Sequence, residues 1–452
     1  MVTGPMLLVI FILAIGFVLV SIIKFKLNPF IALLLASLAI GLLALMPLPE
    51  IANTIASGFG NTLTGIGIVI ALGVILGQML YESGCTEQIA NLMLAKLGRK
   101  NSTLAINATG FIVSIPVFFD AAFVILVQLV RQLSKKAKIP FITYVTALAV
   151  GLITTHCLVL PTPGPLAVIE NMKANIGVFL FYSLIVAIPA SLIGGWLFGT
   201  FLGKKQGALS AEAGDEPADT PAADTAGTDN PSGELGIFLI ALPIVLILLG
   251  TVMAMFLPKG SGALAFFEFI GNKNIALLIG VIVAMIMLKK YFKRPVEELI
   301  AEAGKAAGMI FLITGAGGSL GAIINGTGIG GYLVETMSSL NIPLIILAFV
   351  LSQVLRAAQG SSTVALVTTS AILSPVAAQM GVSPVLVGLA ICCGGIGLSL
   401  PNDSGFWVVN RFSGFDLKDT IKAWTISGTI SGLVGLVIVL VLSLFAGILP
   451  GL

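Results

Sequence analysis

Charged side chains and histidine are both scarce in this chain. Asp, Glu, Lys and Arg make up 10% of its 452 residues, whereas a soluble domain has roughly 25%. The single histidine, His156, excludes a metal site built on several imidazoles, and the four cysteines lack the paired spacing of a zinc or redox site. No set of nucleophile, base or metal ligands is visible, so the sequence predicts no enzyme, no cofactor and no nucleic-acid partner.

Apolar residues are correspondingly abundant. They form 57% of the chain, and they are grouped in stretches long enough for membrane helices at roughly 20 residues per crossing. These stretches leave no room for a catalytic domain outside the bilayer. The sequence therefore predicts an all-α integral membrane protein whose surroundings are lipid.

Two of the apolar stretches are broken at matching places. The breaks are Pro161-Thr162-Pro163-Gly164-Pro165 and Pro401-Asn402-Asp403-Ser404-Gly405. Non-helical backbone at membrane depth is tolerated only where it lines a cavity or is buried in protein. Paired breaks of this kind indicate a transporter with its substrate site near the bilayer midplane.

One segment has a different composition and divides the chain. Residues 204–234 are rich in Ala, Asp, Thr, Gly, Pro and Glu, which predicts a disordered linker between halves 1–203 and 235–452. The halves resemble copies, since three glycines recur at a constant offset of about 244 residues. These pairs are Gly73 and Gly317, Gly77 and Gly321, and Gly84 and Gly328.

Basic clusters set the expected topology, because Lys and Arg in short loops stay cytoplasmic. The clusters at 96–100 and 131–138 both belong inside, yet the apolar stretch 103–130 lies between them. We predict that this stretch is a re-entrant hairpin that turns at Ser114-Ile115-Pro116. The second half then starts on the opposite side, which makes the two halves an inverted repeat with a second hairpin at about 342–379 entering from outside.

The remaining helices follow from this count. The hairpins are accompanied by broken helices at about 141–170 and 383–412. Unbroken helices are predicted at about 6–22, 28–46, 62–80, 177–203, 235–257, 274–290, 305–325 and 420–447.

Three titratable residues in apolar surroundings are candidates for binding a coupling ion. A charge at the bilayer centre costs on the order of 2.5–3.5 kcal/mol, so Asp120 near the first hairpin tip and Asp403 in the second break need an explanation. Each could bind a proton or Na⁺, or could instead lock the hairpin tip or cap the following half-helix. His156 could relay protons, or it could be an ordinary core histidine.

Arg356 and a group of small polar residues are candidates for binding substrate. Arg356 precedes the second hairpin tip and could hold a carboxylate, or it could pair with an acid in a structural role. Hydroxyls at the tip suit a polyhydroxylated ligand, although they also serve as contacts between helices. The predicted substrate-binding residues are Thr162, Gly164, Arg356, Gly360, Ser361, Ser362, Thr363 and Asn402.

The chain resembles the gluconate permease (GntP) family of the ion transporter superfamily almost from end to end. The motifs that carry the resemblance are Lys24-Phe25-Lys26-Leu27-Asn28, Thr155-His156 followed by Pro163-Gly164-Pro165, Arg356 with Gly360-Ser361 and Thr363-Val364-Ala365, and Asn402-Asp403 with Gly405-Phe406-Trp407. The resemblance implies proton-coupled uptake of gluconate or a related small hydroxy acid across a bacterial inner membrane. It also implies an elevator mechanism and a homodimer.

Together these features predict a secondary active symporter for a small hydroxylated carboxylate. Na⁺ coupling is the nearest alternative, and D-serine or glycerate are alternative substrates. A passive channel and a membrane-embedded enzyme are alternatives from other classes; the paired hairpins argue against the channel, and the missing catalytic groups argue against the enzyme.

Overall fold

The computed structural model describes residues 2–98, 101–207, 230–329, 332, 343–400 and 403–452. These residues form helices and turns without strands, so the all-α prediction is confirmed for them. Eight helical segments in this part of the chain are long and apolar enough to cross a membrane. Many apolar side chains on their outer faces are exposed, as lipid-facing surfaces require.

Helices of the first half follow one another with short connections. They are α1 (Pro5–Ile23), α2 (Pro29–Leu43), α3 (Leu48–Glu82), α4 (Cys85–Leu97), α5 (Ser102–Val113), α6 (Phe119–Ala137), α7 (Phe141–Leu158), α8 (Pro163–Met172), α9 (Ile176–Ser191) and α10 (Phe198–Gly207), with a first π-helical segment (Leu192–Leu197) between the last two.

Helices of the second half have a similar pattern. They are α11 (Gly233–Phe256), α12 (Gly262–Ile270), α13 (Lys273–Leu288), a 3₁₀ turn (Lys289–Tyr291), α14 (Val296–Gly326), α15 (Leu344–Gln359), α16 (Ser362–Met380), α17 (Pro384–Gly394), α18 (Ser404–Ser413), α19 (Leu417–Thr420), a second π-helical segment (Ile421–Ile426) and α20 (Ser427–Leu444).

Backbone chemistry explains where the interrupted segments stop. Pro116 lies between α5 and α6, where a helix would need the backbone donor that proline lacks. Gly360 ends α15 with φ 66°, a left-handed conformation that glycine adopts without strain. At 12 residues and 1.5 Å per residue, α5 is about 18 Å long, which is shorter than a hydrocarbon core of roughly 30 Å.

Four features of the fold were not predicted from the sequence. Helix α3 begins at Leu48 rather than near residue 62 and α14 begins at Val296 rather than near residue 305, and α4 and α12 were not predicted at all. The first two turns of α3 carry Asn53 and Thr54 among apolar residues, which lowers the local hydropathy without breaking the helix. A search for uniformly apolar stretches overlooks such amphipathic helices.

The predicted linker lies mostly outside the described residues. Helix α10 continues to Gly207 and α11 begins at Gly233, so both borders of the predicted segment 204–234 are helical. Residues 208–229, between them, are not described.

Helices α3 and α14 form the closest long contact between the two halves. A Cβ atom placed on Gly58 would lie 2.7 Å from the carbonyl oxygen of Gly318 and 2.8 Å from Cβ of Ala322. The hydroxyl of Ser319 donates to the carbonyl of Ile55 across the interface at 2.8 Å. Small residues allow the two backbones to approach, which is the main source of helix association where lipid replaces water.

We expect Gly318→Ala to destabilise the protein by about 1–3 kcal/mol, because the added methyl overlaps Thr62 and Gly58 in a packed interface. Thermal unfolding of the detergent-solubilised protein measures the effect. Gly308→Ala is the matched control, since it lies on the same helix with no atom within 4 Å of the new Cβ. Equal unfolding temperatures for the two variants would contradict a tight crossing.

Candidate functional site

A cavity of about 280 Å³ lies where the interrupted helices meet. Its walls come from the start of α6, the end of α7, the middle of α14, the end of α15, the starts of α16 and α18, and the second π-helical segment. The volume is close to the lower end of the roughly 300–1,000 Å³ range of small-molecule sites. The cavity therefore combines both predicted halves in one pocket.

Most residues that were predicted from the sequence to bind substrate or a coupling ion line this cavity. They are Asp120, His156, Arg356, Gly360, Ser361, Ser362, Thr363 and Asp403. The structure thus brings together residues that are almost 300 positions apart in the sequence.

Three predicted residues are not among the lining residues. The hydroxyl of Thr162 donates to the carbonyl of Val159 within the first break, and Thr162 borders a separate water-sized space beside His156. Gly164 packs against Leu366 of α16, where a Cβ would lie 2.6 Å from Cδ1. Asn402 lies outside the described residues.

A buried ion pair occupies one wall of the cavity. Nη2 of Arg356 donates to Oδ2 of Asp403 at 2.6 Å, and the two side chains are 2% and 5% exposed. Removing two charges from water costs several kcal/mol per ion, which their attraction offsets only when further hydrogen bonds are made. The alternative that Arg356 pairs with an acid is therefore the arrangement in the structure.

Asp403 has all the donors that its buried carboxylate needs. Oδ1 accepts from the backbone N–H of Gly405 at 3.0 Å, so Asp403 caps the start of α18. Oδ2 accepts from Ser399 as well as from Arg356. Asp403 is thus both the helix cap and the counter-ion of Arg356.

Arg356 has donors to spare. Among the described residues, its Nε and Nη1 atoms are buried and have no hydrogen-bond partner. Nδ1 of His156, which lines the same cavity, is in the same condition. Leaving a buried polar group unsatisfied costs about 1–3 kcal/mol, and more for a charged group, so both groups indicate a place where a polar ligand binds.

Asp120 has the opposite environment to Asp403. It lies in the first turn of α6, where the partial positive charge of a helix start favours a carboxylate. Its side chain is exposed towards the cavity and forms no hydrogen bond or ion pair with any described residue. Its carboxylate is therefore free to bind an ion.

The tip of the second hairpin supplies the hydroxyl groups. Ser361 caps α16 by accepting from the backbone N–H of Val364 at 3.4 Å. Ser362 and Thr363 follow it in the cavity wall. Their position beside the guanidinium of Arg356 suits a ligand that has a carboxylate and hydroxyls in one molecule.

Several cavity residues were missed in the sequence. Met309, Ile310 and Ile313 of α14 add an apolar surface to the cavity lining, and Trp424 of the second π-helical segment also lines it. An apolar side chain in an apolar helix has no distinguishing signal, and a tryptophan there is typical of a membrane interface. Only the packing of the helices reveals their role.

Comparisons with known proteins agree with this architecture. The family model described as GntP family permease matches residues 6–445. The chain belongs to this family. It is therefore a multi-pass membrane transporter and not an enzyme.

Two relatives and one solved structure illustrate the similarity of this GntP-family permease to known proteins. It is 36% identical to the inner membrane permease YgbN of Escherichia coli K12, over 93% of this chain and 94% of that protein. It is 32% identical to a high-affinity gluconate transporter of the same organism, over 96% and 99%. The crystal structure of the Alcanivorax borkumensis YdaH transporter has the same fold, with a TM-score of 0.69 at 14% identity over 93% and 98% of the two chains.

The two cavity carboxylates of the permease should differ in their effect on stability. We expect Asp403→Ala to lower the free energy of unfolding by about 3–5 kcal/mol, because it leaves the buried charge of Arg356 uncompensated. Asp120→Asn should leave stability nearly unchanged, because no described residue pairs with Asp120. Thermal unfolding in detergent measures both. A loss of stability for Asp120→Asn equal to that for Asp403→Ala would contradict the assignment.

Proposed function

We propose that this permease is a proton-coupled symporter that imports gluconate or a related small hydroxy acid across a bacterial inner membrane. The observation that carries the proposal is the buried guanidinium of Arg356 in the cavity wall, where two of its nitrogens have no hydrogen-bond partner among the described residues. A substrate carboxylate supplies the missing acceptors. Arg is suited to this role, because its planar fork matches the geometry of a carboxylate.

Substrate class follows from what surrounds Arg356. The hydroxyls of Ser362 and Thr363 and the imidazole of His156 offer donors and acceptors along the cavity, which matches a chain of hydroxyl groups attached to a carboxylate. The relative of 32% identity is a gluconate transporter, which supports a sugar acid. Thr162 and Gly164 were predicted to bind substrate but are not part of the proposed site. We assign them structural roles in the first break and in helix packing instead.

Asp120 is the coupling group in this proposal. A carboxylate that gains and loses a proton during transport needs access to the cavity and no fixed partner, and Asp120 has both. Asp403 already accepts from three donors, one of which is the buried cation of Arg356, so adding a proton to Asp403 would break the pair with Arg356. His156, with Nδ1 unpartnered, is placed to pass a proton within the cavity.

An elevator movement of an inverted repeat is the transport mechanism that we propose. Repetition is supported by the ends of α3 and α14, where Gly84 and Gly328 have φ of 79° and 77° at the offset of about 244 residues. Both hairpins and both broken helices contribute to one cavity. This cavity would be carried across the bilayer against the frame that α3 and α14 form.

The direct test is uptake of radiolabelled gluconate, glycerate and D-serine into proteoliposomes under an imposed pH gradient or an imposed Na⁺ gradient. We expect saturable gluconate accumulation driven by the pH gradient alone. Accumulation only with Na⁺ would show that Na⁺, and not the proton, is the coupling ion. Preference for D-serine would show that the substrate is an amino acid and not a hydroxy acid. Flux that never saturates or accumulates would indicate a channel.

Membrane potential gives a second expectation for the same vesicles. One proton that moves with one monoanion carries no net charge, so a potential imposed with K⁺ and valinomycin should not change gluconate uptake. Each uncompensated charge would gain about 2.3 kcal/mol per 100 mV, which would make electrogenic transport easy to detect. Potential-driven gluconate accumulation would contradict the one-to-one stoichiometry.

Arg356 and Asp120 should have separable roles. We expect Arg356→Ala to raise the KM for gluconate about 10- to 100-fold, because hydrogen bonds to charged groups are worth roughly 1.5–3 kcal/mol. Asp120→Asn should keep binding but abolish pH-driven accumulation. Arg411→Ala is the matched control, since Arg411 is exposed and does not line the cavity. An unaltered KM in Arg356→Ala would remove Arg356 from the substrate site.

A further inference from the structure

A chain of hydrogen bonds connects the ion pair to the second π-helical segment. Nε1 of Trp424 donates to Oγ of Ser399 at 2.6 Å, and the hydroxyl of Ser399 donates to Oδ2 of Asp403. Oδ2 also accepts from Nη2 of Arg356. Trp424 is thus connected to Arg356 through two intermediate residues, all four of them buried.

The chain limits how Asp403 can pair with Arg356. A carboxylate and a guanidinium commonly pair through two parallel hydrogen bonds. Here Oδ1 is occupied by the N–H of Gly405 and Oδ2 is shared between Ser399 and Arg356. These bonds orient the carboxylate with Oδ1 towards the start of α18 and Oδ2 towards Arg356, and in this orientation only one nitrogen of Arg356 bonds to it.

We propose that Ser399 and Trp424 are positioning residues that keep the Arg356–Asp403 pair single-bonded and so keep Nε and Nη1 available for the substrate carboxylate. The inference rests on the proposed role of Arg356 in substrate binding. Ser399 orients Asp403, and the N–H of Trp424 fixes the direction of the Ser399 hydroxyl by occupying its acceptor site.

Trp424 also connects this chain to the first hairpin. Its ring packs against Phe119 at 4.6 Å between centroids, next to Asp120 in the sequence. It lies in the second π-helical segment, a type of helix defect that is frequent at functional sites. Trp196 lies in the first π-helical segment but does not line the cavity, so it is a natural control.

Removal of the Ser399 hydroxyl has a defined consequence. Oδ2 of Asp403 would lose a donor, and the carboxylate would take a second N–H of Arg356 in its place. The substrate would then compete with Asp403 for the guanidinium. Affinity for the carboxylate falls, whereas the later steps of transport, which do not depend on this bond, keep their rate.

The test compares the KM and the maximal rate of gluconate uptake in three variants of the chain and two controls. We expect the KM to rise roughly ten-fold in Ser399→Ala and roughly three-fold in Trp424→Phe, in proportion to charged and neutral hydrogen bonds, with the maximal rate within about two-fold. Ser399→Thr, which keeps a hydroxyl, should restore the KM. The controls Ser352→Ala and Trp196→Phe should match the unmodified protein, since Ser352 donates to the carbonyl of Ile391 and not to the ion pair.

Trp424 emission provides a second readout that does not depend on transport. In a protein with Trp196→Phe and Trp407→Phe, Trp424 is the remaining tryptophan, and gluconate should shift its emission. In that background, Ser399→Ala should raise the gluconate concentration that gives half of the emission shift roughly ten-fold, in line with the KM. If Ser399→Ala cannot be purified, Trp424→Phe alone decides the question through the KM.

The possible failures are distinguishable. A large effect of Arg356→Ala together with an unchanged KM in Ser399→Ala and Trp424→Phe would overturn the positioning role and leave the proposed function intact. An unchanged KM in Arg356→Ala would overturn the proposed function itself. If Ser399→Ala and Trp424→Phe raise the KM and lower the maximal rate to the same extent, and the controls Ser352→Ala and Trp196→Phe do the same, the effect comes from general packing. That result would also overturn the positioning role.

Discussion

The buried pair between Arg356 and Asp403 determines how the middle of this permease is built. Two charges cannot be removed from water unless they meet each other and several further donors. These donors come from places where helices stop, since the N–H of Gly405 is free only because α18 begins there. The second break therefore provides the N–H group that offsets part of the cost of burying a carboxylate. The carboxylate in turn holds the end of α15 beside the start of α18.

The frame around the pair depends on a different principle. Helices α3 and α14 approach through glycines and a serine-to-carbonyl hydrogen bond, because lipid gives no hydrophobic force that would hold helices together. Helix α14 then contributes Met309, Ile310 and Ile313 to the cavity. The cavity lining thus combines polar groups on interrupted helices with an apolar surface on a continuous helix.

The sequence predicts the features that violate the rules of an apolar helix. Proline and glycine mark the breaks, and Asp120 and Arg356 stand out because a charge at membrane depth is costly. Ser399 and Trp424 do not stand out, because serine and tryptophan are ordinary in membrane helices. The pairing of Arg356 with Asp403 also had to come from the structure, since it joins residues 47 positions apart on elements whose packing no local pattern fixes. Helices α4 and α12 were missed for a third reason: α4 mixes polar and apolar residues, and α12, although apolar, has only 9 residues and is too short to cross a membrane.

Under the proposed function, two carboxylates with different surroundings in one cavity provide a physical basis for coupling. Without substrate, Asp403 balances Arg356, and Asp120 is the remaining charge. A carboxylate substrate bound to Arg356 would repel an ionised Asp120, because the two like charges would share one cavity. A proton on Asp120 removes this repulsion, so the anion and the proton each favour the binding of the other, and linkage makes this effect reciprocal. The two tasks fall to different residues: Asp403, which is fully hydrogen-bonded, holds Arg356 in place, and Asp120, which has no described partner, exchanges the proton.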